Sequence, residues 1–101
     1  MKTFHGYRHA LTGAVSVRVC VGETSRPLDA PDEGSMDWKQ FSGAGRLAVA
    51  LITDAAGPDL ATPPVGLHVM RNLVVGLAGD GWTLTEQQVQ AAVDAALKAA
   101  K

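Results

Sequence analysis

One cysteine, five aromatic residues and no surplus of either charge leave this chain of 101 residues few of the usual routes to a function. The lone thiol, Cys20, excludes an internal disulfide framework and any metal site built from several cysteines. Nine basic residues against ten acidic ones give a net charge of -1. That balance argues against binding nucleic acid or an anionic membrane through a whole-surface field, so direct nucleic-acid binding is not expected. No apolar run approaches the ~20 residues of a membrane span, and the start has no signal-peptide-like apolar core. Internal repeats and low-complexity runs are also missing. What is there is 47% hydrophobic and 19% charged, the balance of a globular chain, at a length that suits one domain of roughly 100–150 residues. With aromatics so scarce, the core must come from Val, Leu, Ile, Met and Ala. The expected setting is the cytoplasm of a prokaryotic host.

The first third reads as strand. Residues 15–21 run Val-Ser-Val-Arg-Val-Cys-Val, which sends Val15, Val17, Val19 and Val21 to one face and Ser16, Arg18 and Cys20 to the other. Residues 3–8 form a weaker strand, with Gly6 inside it marking a bulge or a close backbone approach. Thr12 and Gly13 between them supply turn chemistry, so the two make an antiparallel hairpin. Arg26, Pro27 and Leu28 add a short third strand, which Pro27 places at an edge. Residues 29–45 then read as an acidic, aromatic and glycine-bearing loop.

From about Gly45 or Arg46 onward the chain reads as three helices. The first carries the apolar run Leu47 to Ile52 and stops at Gly57-Pro58. The second starts with Thr62 as N-cap and Pro63 at the first helical position. It turns Gly66, Val69, Met70, Leu73, Val74 and Leu77 to one face and ends at Gly79-Asp80-Gly81. Val65, Leu67 and Val75 lie outside that stripe, so this helix too is expected to be largely buried. The third has the clearest start. Thr85 and Gln88 form a capping box, Leu84 and Val89 a hydrophobic staple, and the stripe of Val89, Ala92, Val93, Ala96, Leu97 and Ala100 follows at helical spacing. The alanines allow close approach to a neighbour, either within the domain or across a two-fold in a homodimer. The reading is β–β(–β)–α–α–α: an α+β domain with the helices laid on one face of a small antiparallel sheet.

Few residues carry chemistry. His5 and His9 are four apart, but in strand and turn this spacing does not bring them together as a helix does. His68 sits in an apolar helix with no second ligand at helical spacing and reads as a packed histidine. Cys20 shares a strand face with Arg18, yet nothing in the sequence places a base beside it. No pair of carboxylates is fixed on one rigid face for acid–base work. Ser42-Gly43-Ala44-Gly45 stands before a helix, where free backbone N–H groups and the helix dipole meet. It lacks the full phosphate-loop and dinucleotide patterns, so the glycines serve either tight turning or anion binding. Trp38 and Phe41 either pack over the sheet or stand out as interface anchors, with Arg46 completing the patch.

The opening Met1-Lys2-Thr3-Phe4-His5-Gly6-Tyr7-Arg8 resembles the aromatic-x-Gly-x-Arg start of a family of small prokaryotic and phage proteins known only as a domain of unknown function. The resemblance continues through Val15-Ser16-Val17 and Arg26-Pro27-Leu28. It then takes in Trp38 with Phe41-Ser42-Gly43-Ala44-Gly45, the run Leu47-Ala48-Val49-Ala50-Leu51-Ile52, and Trp82-Thr83-Leu84-Thr85, in order along the chain. The chain departs at Lys39-Gln40, where the family has a glycine before its aromatic, and at Arg46, which replaces a longer proline-containing step. The resemblance implies an α+β fold and a home in phages or other mobile elements. It brings no catalytic residue.

Three functions follow as expectations. The first is a non-enzymatic interaction protein of phage or mobile-element origin, an anti-CRISPR or other anti-defence inhibitor that occludes a host protein or ribonucleoprotein complex. Its anchors are Trp38, Phe41 and Arg46, with Asp32, Glu33 and Asp37 facing a basic partner. The alternative is a small-ligand or anion-binding protein that uses the backbone of Gly43, Ala44 and Gly45. The third is an enzyme working through Cys20 or a histidine. No cofactor or metal is expected.

Overall fold

A computed structural model describes residues 2–30, 34–77 and 79–99. Asp32, Glu33 and Ala100, which figure in the expectations above, lie outside the described residues, as does Met1. The chain is an α+β domain. Strands β1 (Lys2–Arg8), β2 (Val15–Val21), β3 (Thr24–Pro27) and β4 (Gly81–Thr85) form one antiparallel sheet in the order β3-β2-β1-β4. Helices α1 (Phe41–Ala56), α2 (Pro63–Asn72) and α3 (Glu86–Ala99) complete the domain, with single 3-10 turns at Pro58–Leu60 and Val74–Gly76.

The β1–β2 hairpin closes where the sequence puts Thr12-Gly13. Gly13 takes a φ of 73°, its N–H donates to His9 O at 2.8 Å, and Thr12 Oγ1 accepts the Ala14 N–H at 3.2 Å. The alternation in β2 then sorts its side chains. Val17 and Val19 are buried beside Phe4 of β1 and Leu84 of β4, whereas Ser16 and Arg18 face solvent. Val21, at the rim of the sheet, is 46% exposed although it belongs to the helix-side face. Against Phe4, Val17, Val19 and Leu84 lie Leu47, Leu51 and Ile52 of α1, Val69 of α2, and Val89 and Val93 of α3, all nearly or fully buried.

Backbone parity explains how the sheet ends. Antiparallel neighbours exchange hydrogen bonds at every second residue pair. Leu28 N–H donates to Val17 O at 2.9 Å, which sets Thr24 and Arg26 as the β3 residues bonded to β2 and turns Ser25 and Pro27 outward. Proline, without an N–H, sits where no ladder bond is lost. On the other rim, Arg8 N–H donates to Asp80 O at 2.8 Å. Trp82 and Leu84 therefore bond β1, while Gly81, Thr83 and Thr85 face outward.

Three elements differ from expectation. The stretch Trp82-Thr83-Leu84-Thr85 is a fourth strand, not only the lead into a helix. Its Leu84 serves both the sheet core and the staple under Val89, and the capping box forms as expected. Thr85 N–H donates to Gln88 Oε1 at 2.8 Å, and Gln88 N–H to Thr85 Oγ1 at 3.1 Å. The first helix begins at Phe41 rather than at Gly45 or Arg46. The second ends at Asn72, and the chain continues in a 3-10 turn whose Val74 is buried. Val75 is 61% exposed and Leu67 41%, as positions off the buried stripe. Only Val65 of the three off-stripe residues is buried.

Gly6 answers to the second of its two readings, close approach. It pairs with Trp82, and a Cβ built on it would run into the Trp82 indole. That ring packs edge to face on Trp38 and would have to leave that contact, so Gly6→Ala is expected to destabilise the protein by about 1–3 kcal/mol. Urea unfolding measures this, as a lower midpoint at unchanged slope.

Candidate interaction surface

The turn that launches α1 is clamped to the sheet by charge. Arg8 makes a two-pronged contact with Asp37, Nη1 to Oδ2 at 3.0 Å and Nη2 to Oδ1 at 2.5 Å. Asp37 Oδ1 also accepts the Lys39 N–H at 3.0 Å, and Asp37 N–H donates to Ser35 Oγ at 3.1 Å. The Arg8 guanidinium lies 5.1 Å from the Trp38 ring centre, a cation–π distance. Trp38 meets Trp82 edge to face, with centres 5.6 Å apart and planes at 87°, and its Nε1 donates to Gly79 O at 3.2 Å. Asp80 stands 3.3 Å from Arg8 Nε, an ion-pair distance without hydrogen-bond alignment, and 3.4 Å from Lys39 Nζ.

This geometry divides the expected partner-binding residues. Trp38 is only 4% exposed and Asp37 8%, so Trp38 is corrected from an interface anchor, and Asp37 from a residue facing a basic partner, to parts of the clamp. An indole with its N–H satisfied and a carboxylate already bound by a guanidinium have little left to offer a partner. Phe41, by contrast, is 78% exposed at the first position of α1. Arg46 is half-buried and its Nη1 donates to Ser35 O at 3.4 Å, so it braces the loop before the helix. Asp32 and Glu33 lie outside the described residues.

The alternative anion site is also changed. Gly43, Ala44 and Gly45 do not precede the helix; they belong to its first turns. Ala44 N–H already donates to Gln40 O at 2.7 Å, and Gly45 follows it inside the helix. Gly43 is buried where a Cβ would strike the Asp37 backbone. The glycine thus serves close approach of helix to turn, and the N–H groups of Ala44 and Gly45 are not presented to an anion.

Phe41 forms a ridge between two depressions. One, of about 390 Å³, runs between α1 and α2 and is lined by Phe41, Gly45, Arg46, Val49, Leu67 and Met70 among others. The other, of about 170 Å³, lies between Trp38, Ala44, Met70 and Val75. With Leu67 and Val75 exposed beside them, this end of the helical layer is an apolar surface. The sequence held its signal in Phe41; Leu67 and Val75 were missed because apolar residues off the stripe were taken as signs of a largely buried helix, whereas both are exposed.

The remaining candidates are dispersed. His5 Nε2 is hydrogen-bonded with Thr3 Oγ1 at 2.9 Å and Nδ1 with Thr83 Oγ1 at 3.1 Å, whereas His9 Nδ1 accepts the Leu11 N–H at 3.2 Å. The register neighbours of Cys20 are Thr3 and Ser25, neither of them a base. Among the described residues, no three His, Cys, Asp or Glu side chains gather as metal ligands. Compared with protein-family models, with curated proteins and with solved structures, the chain matches none.

The charge of the clamp sets a pH dependence. The Arg8 hydrogen bond holds the Asp37 carboxyl below the ordinary carboxylate range in spite of desolvation, aided by the Lys39 N–H. Burial pushes Asp54 up, but bonds from Lys2 and Arg26 outweigh it and also leave that carboxyl lowered. A carboxylate depressed in the folded state contributes stability above its unfolded value, near ~3.9, and loses it as pH falls through the folded value. Stability is therefore expected to be level near neutrality and to fall below about pH 4. Asp37→Asn should lower the urea midpoint at pH 7 and flatten the acid limb. An acid limb as steep as wild type would assign the dependence elsewhere.

Proposed function

We propose that the chain is a non-enzymatic interaction protein that binds a partner protein through Phe41 and the α1–α2 groove. The observation that carries this reading is the exposure of Phe41. In a chain with five aromatic residues, the core takes Phe4 and Trp38, yet 78% of Phe41 is left in water between two apolar depressions. Burying such a ring is worth about 1.5–3 kcal/mol, a gain that folding leaves to a partner. Aromatic anchors seated in well-packed pockets dominate interface energetics, and the exposed Leu67 and Val75 beside Phe41 suit a rim that excludes water.

The partner class rests on the family resemblance of the sequence. A phage or mobile-element origin fits a host protein or ribonucleoprotein complex, of the sort that anti-CRISPR and other anti-defence inhibitors block. Both helices flanking the groove are fixed at their starts, α1 by the Arg8–Asp37 clamp and α2 by Pro63 at its first position. A surface already rigid loses little entropy on binding.

A photo-crosslinking residue at the exposed Ser42, in a pull-down from host lysate, is expected to trap one stoichiometric partner. Phe41→Ala should weaken that complex about thirtyfold or more, the effect of a ~2 kcal/mol hot spot, while leaving the melting temperature nearly unchanged. Capture that Phe41→Asp does not disturb, or a lysate that yields no partner, would remove the proposal.

A further inference from the structure

The helices cover one face of the sheet, and the other face is open. Its residues are those of odd number on β1 and even number on β2, with their register partners on β3 and β4, and none of them is buried. No strand contains an aspartate or glutamate. The cations on the helix side are each matched by carboxylates from elsewhere: Lys2 by Asp54 and Glu86, Arg26 by Asp54, and Arg8 by Asp37. Arg18, on the open side, is paired with no carboxylate among the described residues. Its Nε and Nη2 donate to Ser25 Oγ at 3.3 and 3.1 Å, which holds the guanidinium over the sheet with further N–H donors to spare.

Two rings accompany it. His5 is the register partner of Arg18, and its two nitrogens are held by the Thr3 and Thr83 hydroxyls. Tyr7, two residues along the same strand and 57% exposed, stands about 6.6–6.8 Å farther on. Ring planes, a guanidinium and fixed hydroxyls without a carboxylate complement an anion that also carries flat apolar faces. Unstacked bases with their phosphates have that chemistry.

We infer that the open sheet face binds single-stranded nucleic acid, with Tyr7 stacking on a base and Arg18 holding a phosphate. The near-zero total charge conceals this site because the carboxylates lie on loops and helices. The site is on the opposite side of the sheet from Phe41 and does not depend on the interaction proposed there.

Fluorescence anisotropy with labelled single strands of about eight nucleotides, as DNA and as RNA, tests it. The whole chain is expected to bind at least one of them in the range of roughly 10⁻⁴–10⁻⁶ M. Tyr7→Ala should weaken binding about tenfold. Arg18→Ala should weaken it and reduce the slope of log affinity against log salt by about 0.7, the value for one lost phosphate contact. Both side chains are exposed, so circular dichroism and melting should show each variant folded. Phe41→Asp should leave oligonucleotide binding unchanged, and Arg18→Ala should leave protein capture through Phe41 unchanged, so the two proposals fail separately. Absence of binding by either strand, or binding that survives both sheet variants, would overturn the inference. Equal competition by a phosphopeptide or polyglutamate would overturn it too, replacing nucleic acid with an acidic protein partner.

Discussion

The two-pronged contact between Arg8 and Asp37 ties the end of the first strand to the turn that launches the first helix, twenty-nine positions farther along the chain. Much else is arranged around it. The guanidinium that binds Asp37 also lies over Trp38, Trp38 packs edge-on against Trp82, and Trp82 in turn lies across the bare Cα of Gly6. The backbone of Asp37 presses on Gly43, which sets how close α1 comes to the turn. A pair with side chains only 16% and 11% exposed is poorly screened by solvent. It stands under a set of side chains that cannot be repositioned one at a time. The start of α1, and with it the place where Phe41 emerges, is a consequence of that set.

A second network does the same for the other end of the domain. Asp54, near the end of α1, receives Lys2 from the first strand at 2.8 Å and Arg26 from the third at 2.6 Å, and Glu86 at the start of α3 shares Lys2 at 3.4 Å. α1 is thus joined to the sheet by carboxylate–cation contacts near both ends and by Leu47, Leu51 and Ile52 between them. The helix-side cations are used internally, which leaves the two faces of the domain with contrasting chemistry. One is apolar and built on helices; the other is hydroxyl-rich, faintly cationic and built on strands.

How much of this could be read from residues alone depended on the range of the interaction responsible. The valine alternation of β2, the Thr12-Gly13 turn, the edge position of Pro27, the Gly57 stop and the Thr85–Gln88 capping box are each decided within a few residues. Each was legible. The fourth strand was not, because Trp82-Thr83-Leu84-Thr85 is too short to declare a period and becomes a strand only by pairing with residues near the N-terminus. The start of α1 was hidden for a similar reason. Glycines at 43 and 45 look like loop until the backbone of Asp37 is seen to require one of them. At the candidate site, exposure was one of two readings for Phe41 and is the one found, but its fellow aromatic Trp38 packs inward beneath Arg8, a partner distant in sequence. The end of α2 at Asn72, short of the expected Gly79, has no local marker beyond a pair of valines before Gly76.

The rims of the sheet bear on how copies of this chain can meet. On one side the outward-facing positions of β3 are Ser25 and Pro27, so a foreign strand finds a single N–H donor there. On the other, Thr85 N–H is occupied by Gln88, which leaves only Gly81 and Thr83 with both groups presented. Neither rim offers the long row of donors and acceptors that templates strand addition. Growth of the sheet from molecule to molecule is therefore disfavoured at both ends. What the rims leave open is contact face to face, through side chains, where a substitution can reverse it.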